Sequence, residues 1–308
     1  MIISASRRTD IPALYSHWFF NRISAGFAYV RNPMNPRQVS RIPLNPDVVD
    51  GIVFWTKNPG PMMGRLEELR DYTYYFQFTL TPYGQEIEKN LPDKDRLLSI
   101  FCELSSRIGK ERVVWRYDPI LINEKYSLDY HQLAFDRLCD RLAPYTEKCT
   151  VSFLDVYRGM SSRISPLNIR PPSQAETEAL AEHFGRRARE HGIYVDTCAE
   201  SIDLEKYGIS HGACIDPERL SRIGGCGLSV PPDKNQRPKC GCAKSIDIGA
   251  YDTCKNGCVY CYADHNRAPA GTHDPESPLI WGELDPEDRV KSAEAKSAKQ
   301  LQNRLSFE

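Results

Sequence analysis

Residues 1–10 read Met-Ile-Ile-Ser-Ala-Ser-Arg-Arg-Thr-Asp. A short apolar run turns directly into charged and polar residues, with no G-x-G-x-x-G of the kind that opens a dinucleotide-binding unit. The same grammar repeats downstream. Apolar runs at Gly51–Thr56, Tyr72–Leu80, Arg112–Arg116, Thr150–Leu154 and Ile193–Thr197 read as further strands, after Met1–Ser6. Each ends in polar groups such as Trp-Thr-Lys-Asn-Pro, Arg-Tyr-Asp-Pro or Cys-Ala-Glu. Amphipathic stretches between them predict helices over 11–24, 93–108, 127–143 and 173–191, the last opened by Ser173 with Glu176 three residues on, a capping-box spacing. A hairpin is expected at Ala28–Arg31 and Gln38–Ile42 around Asn-Pro-Met-Asn-Pro. Repeated βα units with polar strand ends fit an α/β chain, a full or partial TIM-type (β/α) barrel, better than a doubly wound sheet.

Beyond residue 200 the pattern changes. Residues 202–243 carry Gly, Pro and Cys without clear periodicity, and Ser245–Tyr251 reads as one more strand that would carry the following loop at its C-terminal end. The expected organisation is therefore barrel units over 1–200, a Cys-rich segment completing the barrel over 201–269, and a hydrophilic extension over 270–308. That extension is expected to hold one helix within 285–306, with Val290, Ala293, Leu301 and Leu305 as its apolar positions.

Bulk properties are those of an ordinary globular chain: 308 residues, 41% hydrophobic, 26% charged, net charge −1. Nothing global favours nucleic acid or an anionic membrane, and no apolar run reaches the length of a membrane span. The opening residues lack a signal-peptide pattern, so a cytoplasmic, reducing setting is expected, in which cysteines serve as thiols or metal ligands. Eight of the eleven cysteines fall between residues 198 and 261. Residues 1–59 hold seven Lys or Arg against three acids, which suggests either a solvated face or an anionic ligand nearby.

Cys254, Cys258 and Cys261 stand in Tyr-Asp-Thr-Cys-Lys-Asn-Gly-Cys-Val-Tyr-Cys-Tyr-Ala, a C-x3-C-x2-C spacing. Three thiolates on one loop can hold three irons of a [4Fe–4S] cube and leave the fourth open to a small molecule. The competing reading is a structural zinc site completed by Cys240, Cys242 or His265.

The loop, with its aromatic residue before the last cysteine, resembles the radical S-adenosylmethionine (SAM) superfamily. That resemblance implies a cluster whose open iron binds the SAM amino and carboxylate groups, and reductive cleavage of SAM to a 5′-deoxyadenosyl radical. Cys-x3-Cys-x-Tyr-Cys-Tyr-Ala is similar to the loop of the spore-photoproduct-lyase-related branch. A longer resemblance, carried by Ile-Ile-Ser-Ala-Ser-Arg-Arg-Thr-Asp-Ile-Pro, Val-Phe-Trp-Thr-Lys-Asn-Pro and Asp-Lys-Asn-Gln-Arg-Pro-Lys-Cys-Gly-Cys, runs to the bacterial domain-of-unknown-function family 1848 over essentially the whole chain. The loop follows the last candidate strand, whereas the superfamily places it after the first, so a permuted barrel is expected in which Met1–Ser6 lies beside the cluster strand. No Gly-Gly-Glu element follows. In its place Asp10 or Thr9 would take the SAM amino group and Arg7 or Arg8 the carboxylate, so that replacing Arg8 or Asp10 weakens SAM binding without emptying the cluster.

Cys198, Cys214, Cys226, Cys240 and Cys242 need their own account: an auxiliary Fe–S cluster held by four of the five, a zinc site stapling 202–243, or buried free thiols. Lys57, Arg116, Asp118, Asp155 and Glu200 sit at strand ends, where they can bind SAM or substrate or close the barrel top as ion pairs. Tyr260 resembles the superfamily residue near the SAM adenine. His131, His183 and His191 read as packing or surface residues. The reading is a radical SAM enzyme acting on a small-molecule or nucleotide-type substrate, served by a flavodoxin- or ferredoxin-type electron donor. Its rivals are a photoproduct-lyase-like repair enzyme, a zinc-stabilised nucleic-acid-binding protein, and a TIM-type hydrolase with a structural cluster.

Overall fold

The computed structural model describes residues 1–237, 239–265 and 267–300. The chain runs β1 (Ile2–Ala5), α1 (Ile11–Leu14), α2 (Ser16–Ala25), β2 (Phe27–Asn32), β3 (Asn35–Pro43), β4 (Gly51–Thr56), β5 (Tyr74–Thr79), α3 (Lys94–Ile108) and β6 (Val113–Ile120). There follow α4 (Leu128–Leu142), β7 (Lys148–Phe153), α5 (Ser161–Ile164), α6 (Gln174–Glu190), β8 (Tyr194–Thr197), β9 (Ile209–His211), α7 (Pro217–Gly224), β10 (Ser245–Asp247) and β11 (Arg289–Ser292).

Eight strands form one parallel sheet in the order β10-β1-β4-β5-β6-β7-β8-β9. After β10, order in space follows order in sequence with no reversal, so the sheet lacks the switch point at which doubly wound folds bind ligands. Strand β10, which leads into the cysteine loop, pairs with β1, Ile3 opposite Ile246 and Ser4 opposite Asp247, so Met1–Ser6 and this strand are the expected neighbours.

Alternation along the strands sends residues to two different cores. One row (Ile3, Ile52, Phe54, Phe76, Trp115, Cys149) packs with Phe101 of α3, Phe135 of α4 and Phe184 of α6 in the main core. Phe135 and Phe184 stack with their centroids 3.8 Å apart. The other row (Ile2, Val53, Tyr75, Val114) packs with Cys214, Ile215, Leu220 and Ala243. Being buried on both faces, these strands read as continuous apolar runs.

The second core corrects the expectation for 202–243. This segment is not irregular throughout: it supplies β9 and α7, and it fills the sheet face away from α3, α4 and α6. Tyr75 OH and Gln77 Nε2 both donate to the Cys214 carbonyl, at 2.5 and 2.7 Å. Leu220 packs so tightly over Gly51 that a β-carbon there would lie 2.6 Å from its methyls.

The capping box at Ser173 and Glu176 is formed, and Asp93 and Ser127 cap α3 and α4. The helix expected over 11–24 is divided at Tyr15 into α1 and α2. The hairpin forms as β2 and β3, antiparallel. No helix is found among the described residues of 285–306. Instead Arg289–Ser292 adds a parallel strand to β3, with Val290 opposite Val39. Four apolar residues spread over 22 positions cannot bury a helical face, whereas an exposed edge strand offers ladder hydrogen bonds to any short extended segment. Leu301 and Leu305 lie outside the described residues.

Candidate functional site

A cavity of about 460 Å³ opens at the C-terminal ends of the strands. Its wall takes Ser6 to Asp10 after β1, Trp55 to Lys57 at the end of β4, Arg116 and Asp118 of β6, Ser152 to Asp155 at β7, Cys198 after β8, and Cys254, Cys258, Tyr260 and Cys261 after β10. Residues from six separate strand ends, scattered through 250 positions of sequence, thus meet at one place. Glu200 and Cys226 are not among the groups lining it.

The loop carrying Cys254, Cys258 and Cys261 is pinned from every side. Asn256 Nδ2 donates to Asp10 Oδ2 at 2.9 Å, Tyr15 OH to the Thr253 carbonyl at 2.5 Å, and Asn90 Nδ2 to the Lys255 carbonyl at 2.7 Å. Arg163 reaches across from the β7–α6 connection and donates to the carbonyls of Val259, Cys261 and Asp264. Gly257, at φ +67° between the first two cysteines, takes the left-handed conformation the turn requires. Such anchoring fixes where three sulfurs sit before any ligand arrives. Burial pushes the Cys254 thiol up to about 12 and raises Cys258 and Cys261 as well. As free thiols all three therefore stay protonated at neutral pH.

Asp10 stands at the centre of the anchoring. Its carboxylate caps α1 through the Ala13 N–H (3.0 Å) and accepts the Lys57 N–H (2.8 Å) together with Asn256. With both oxygens engaged, it joins the ends of β1 and β4 to the cysteine loop. Arg7 and Arg8 are held loosely. The Arg8 guanidinium lies over the Tyr251 ring at 5.2 Å and 3.9 Å from Asp247, while Arg7 lies 4.0 Å from Asp233.

Residues 2–263 match the family model described as Domain of unknown function (DUF1848). The chain belongs to the DUF1848 family. No curated protein matches it. Among solved structures, a protein assigned as an alpha-L-fucosidase from Bacteroides thetaiotaomicron VPI-5482 is similar over 71% of this chain and 82% of that one, at 12% identity and a TM-score of 0.29. That likeness is too low to carry an argument.

In the DUF1848 chain, Lys57 lies between the cysteine loop and a buried carboxylate. Its Nζ is 2.7 Å from Glu88 Oε1 and 2.8 Å from Tyr260 OH. Glu88 is only 1% exposed, accepts from Thr81 at 2.8 Å, and also contacts Lys94 and Tyr260. Burial disfavours its charge, but Lys57 and Lys94 outweigh that cost and lower it from 4.5 to about 2. Glu88 therefore stabilises the fold above its unfolded value of 4.5, and that contribution disappears as pH falls from 4.5 towards 2. The loss is about 3 kcal/mol. Thermal melts between pH 5 and pH 2.5 should show it. Glu88→Gln should melt lower at pH 7, by leaving two lysines unpaired, yet lose less across the acid range.

Arg116 and Asp118 form a buried pair that Ser152 also joins, and Arg116 Nη1 lies 2.9 Å from Cys214 Sγ. Asp155 pairs with Arg237 at the rim. Glu200 accepts the Phe153 N–H at 2.9 Å, and burial lifts it to about 7. His265 faces Asp252 at 3.1 Å rather than the cysteines. His131 is fully buried between Tyr117 OH and the Leu121 carbonyl, and His183 pairs with Asp136.

Four residues of the site escaped the sequence reading. Glu88 and Asn90 lie on the 82–93 connection, Arg163 in α5, and Asp247 at the end of β10. Asp247 accepts from Ser4, Ser6 and the Arg7 N–H, tying β10 to β1. Its position at a strand end was the available signal. The other three sit in segments with no periodic pattern.

Proposed function

We propose that this chain is a radical SAM enzyme on a permuted (β/α) barrel. The observation that carries the reading is that Cys254, Cys258 and Cys261, in C-x3-C-x2-C spacing, face the cavity formed by the strand C-terminal ends. Sequential strand order supports the barrel, as does a hydrogen bond between the segments flanking the two edge strands, where the Ala243 N–H, two residues before β10, donates to the Ile215 carbonyl, four residues after β9, at 3.0 Å.

The donor set fits a [4Fe–4S] cluster with one open iron. Three buried thiols on a rigid loop are costly to ionise alone, and iron supplies the compensating charge. Bound there with SAM, the cluster would supply the electron that cleaves a carbon–sulfur bond. The protein's part is placement and shielding. Arg8 and Arg7, the least firmly paired cations of the wall, are suited to a carboxylate. Lys57 sets a positive charge next to Cys258, and Tyr260 forms the wall beside it. Asp10 is already engaged by three donors, so its role in this reading is to hold the loop. A small-molecule or nucleotide-type substrate fits the cavity volume, and a flavodoxin- or ferredoxin-type protein would deliver the electron in the cytoplasm. No helix among the described residues is long and apolar enough to cross a membrane.

The deciding experiment is anaerobic reconstitution with iron and sulfide, then incubation with SAM and a strong reductant. Formation of 5′-deoxyadenosine is expected. A reconstituted, iron-loaded protein that yields none overturns the proposal and leaves a structural cluster.

A further inference from the structure

Apart from the cysteine loop, a second set of thiols meets on the wall of the same cavity. Cys198 Sγ and Cys214 Sγ are 3.3 Å apart. Cys214 contacts Cys242 through its side chain, and Cys242 contacts Cys240. The four therefore form a row of neighbouring thiols, with Cys198 and Cys214 in hydrogen-bond contact. Cys226 stands apart, half-buried beyond α7 and outside the cavity wall. Among the described residues no three such groups already close on one centre.

We propose that Cys198, Cys214, Cys240 and Cys242 form a second metal site, binding one zinc ion through four thiolates. Spacing argues for a single ion. Zinc–sulfur bonds of about 2.3 Å put the sulfurs of a tetrahedral site about 3.8 Å apart, close to the separation of thiols in hydrogen-bond contact. A four-iron cube spreads its ligands further. The Cys254, Cys258 and Cys261 side chains make no such mutual contacts, so the two sets differ in kind. Rotation of the end members, Cys198 and Cys240, would bring the row into a cage.

The surroundings suit the resulting charge. Binding exchanges four protons, released to solvent, for one dication, which leaves the site at −2. The Arg116 guanidinium touches both Cys214 (2.9 Å) and Cys198 and offsets part of that charge. The Ile215 N–H points at Cys242 Sγ at 3.4 Å. Gly241 keeps Cys240 and Cys242 close to the β9 turn, because a β-carbon there would lie 2.9 Å from the Gly212 carbonyl. The four ligands come from the end of β8, the β9–α7 turn and the approach to β10, so one ion would fasten both edges of the sheet.

This proposal does not rest on the radical SAM reading, and metal analysis separates them. Protein purified anaerobically from zinc-supplied medium and then reconstituted should hold about one zinc and about four irons per chain. Cys240→Ser/Cys242→Ser should lose at least tenfold in zinc and keep its iron, Cys258→Ala should do the reverse, and Cys226→Ala should keep both. Should the double variant fail to fold, wild-type protein produced with cobalt decides: the visible spectrum of a tetrahedral tetrathiolate ion supports the site, and its absence overturns it. Wild type without stoichiometric zinc, a double variant that retains it, or about eight irons and no zinc each overturns the proposal.

Discussion

Cys258→Ala should empty the cysteine loop: iron after reconstitution falls from about four per chain to near zero, and 5′-deoxyadenosine falls to the level of a control without protein. Cys258 is the most buried of the three thiols and the one beside Lys57. Two remaining thiolates cannot fix a cube against loss to solvent. The fold itself should survive, because removing one buried thiol to leave an alanine methyl costs on the order of 1 kcal/mol. Iron analysis and chromatography of the reaction mixture check both parts. Full iron loading in the variant would show that the loop does not hold the cluster.

Asp10→Ala should be the most destabilising single change at the site, by about 3–5 kcal/mol in denaturant unfolding. Three donors lose their acceptor at once: the Ala13 N–H that starts α1, the Lys57 N–H at the end of β4, and Asn256 within the loop. Each is buried or half-buried, so each carries its own desolvation cost. Iron retention should drop as well, since the loop loses its tie to β1. This differs from the expectation that Asp10 serves SAM alone, under which the cluster would stay filled. Asp10→Asn keeps acceptor oxygen Oδ1 for the α1 cap and should cost less than half as much. An Asp10→Ala protein that unfolds at the wild-type midpoint would remove Asp10 as an anchor.

Local rules made much of the fold legible in advance. Gly51–Thr56 was bounded correctly because its apolar run is flanked by Asp50 and by Lys-Asn-Pro, and the helix at Ser173 because its cap is written in two residues. β9 and α7 went unseen. Their lengths, three and eight residues, fall below what periodicity resolves, and their stability comes from packing under Tyr75 and Gly51 rather than from propensity. β11 falls where a helix is expected, because the β3 edge it pairs with lies about 250 residues away in sequence. The same limit applies to the site. Cysteines announce themselves by spacing, and strand-end charges by position. That Glu88 holds Lys57, or that four of five cysteines converge and Cys226 does not, depends on contacts between segments that no window of sequence contains.

The pairing of β1 with β10 has a consequence for how such a protein is made. These partners are separated by about 240 residues, and at 5–20 residues per second the ribosome needs on the order of ten to fifty seconds to produce the second after the first. Through that interval β1 offers one open edge of unpaired amides and carbonyls. The cysteine loop, emerging later still, has neither its strand nor its Asp10 anchor until that edge closes. Loading of the proposed metals would then be a late event in the life of the chain, and a ribosome stalled before residue 245 would hold a nascent sheet with one adhesive side.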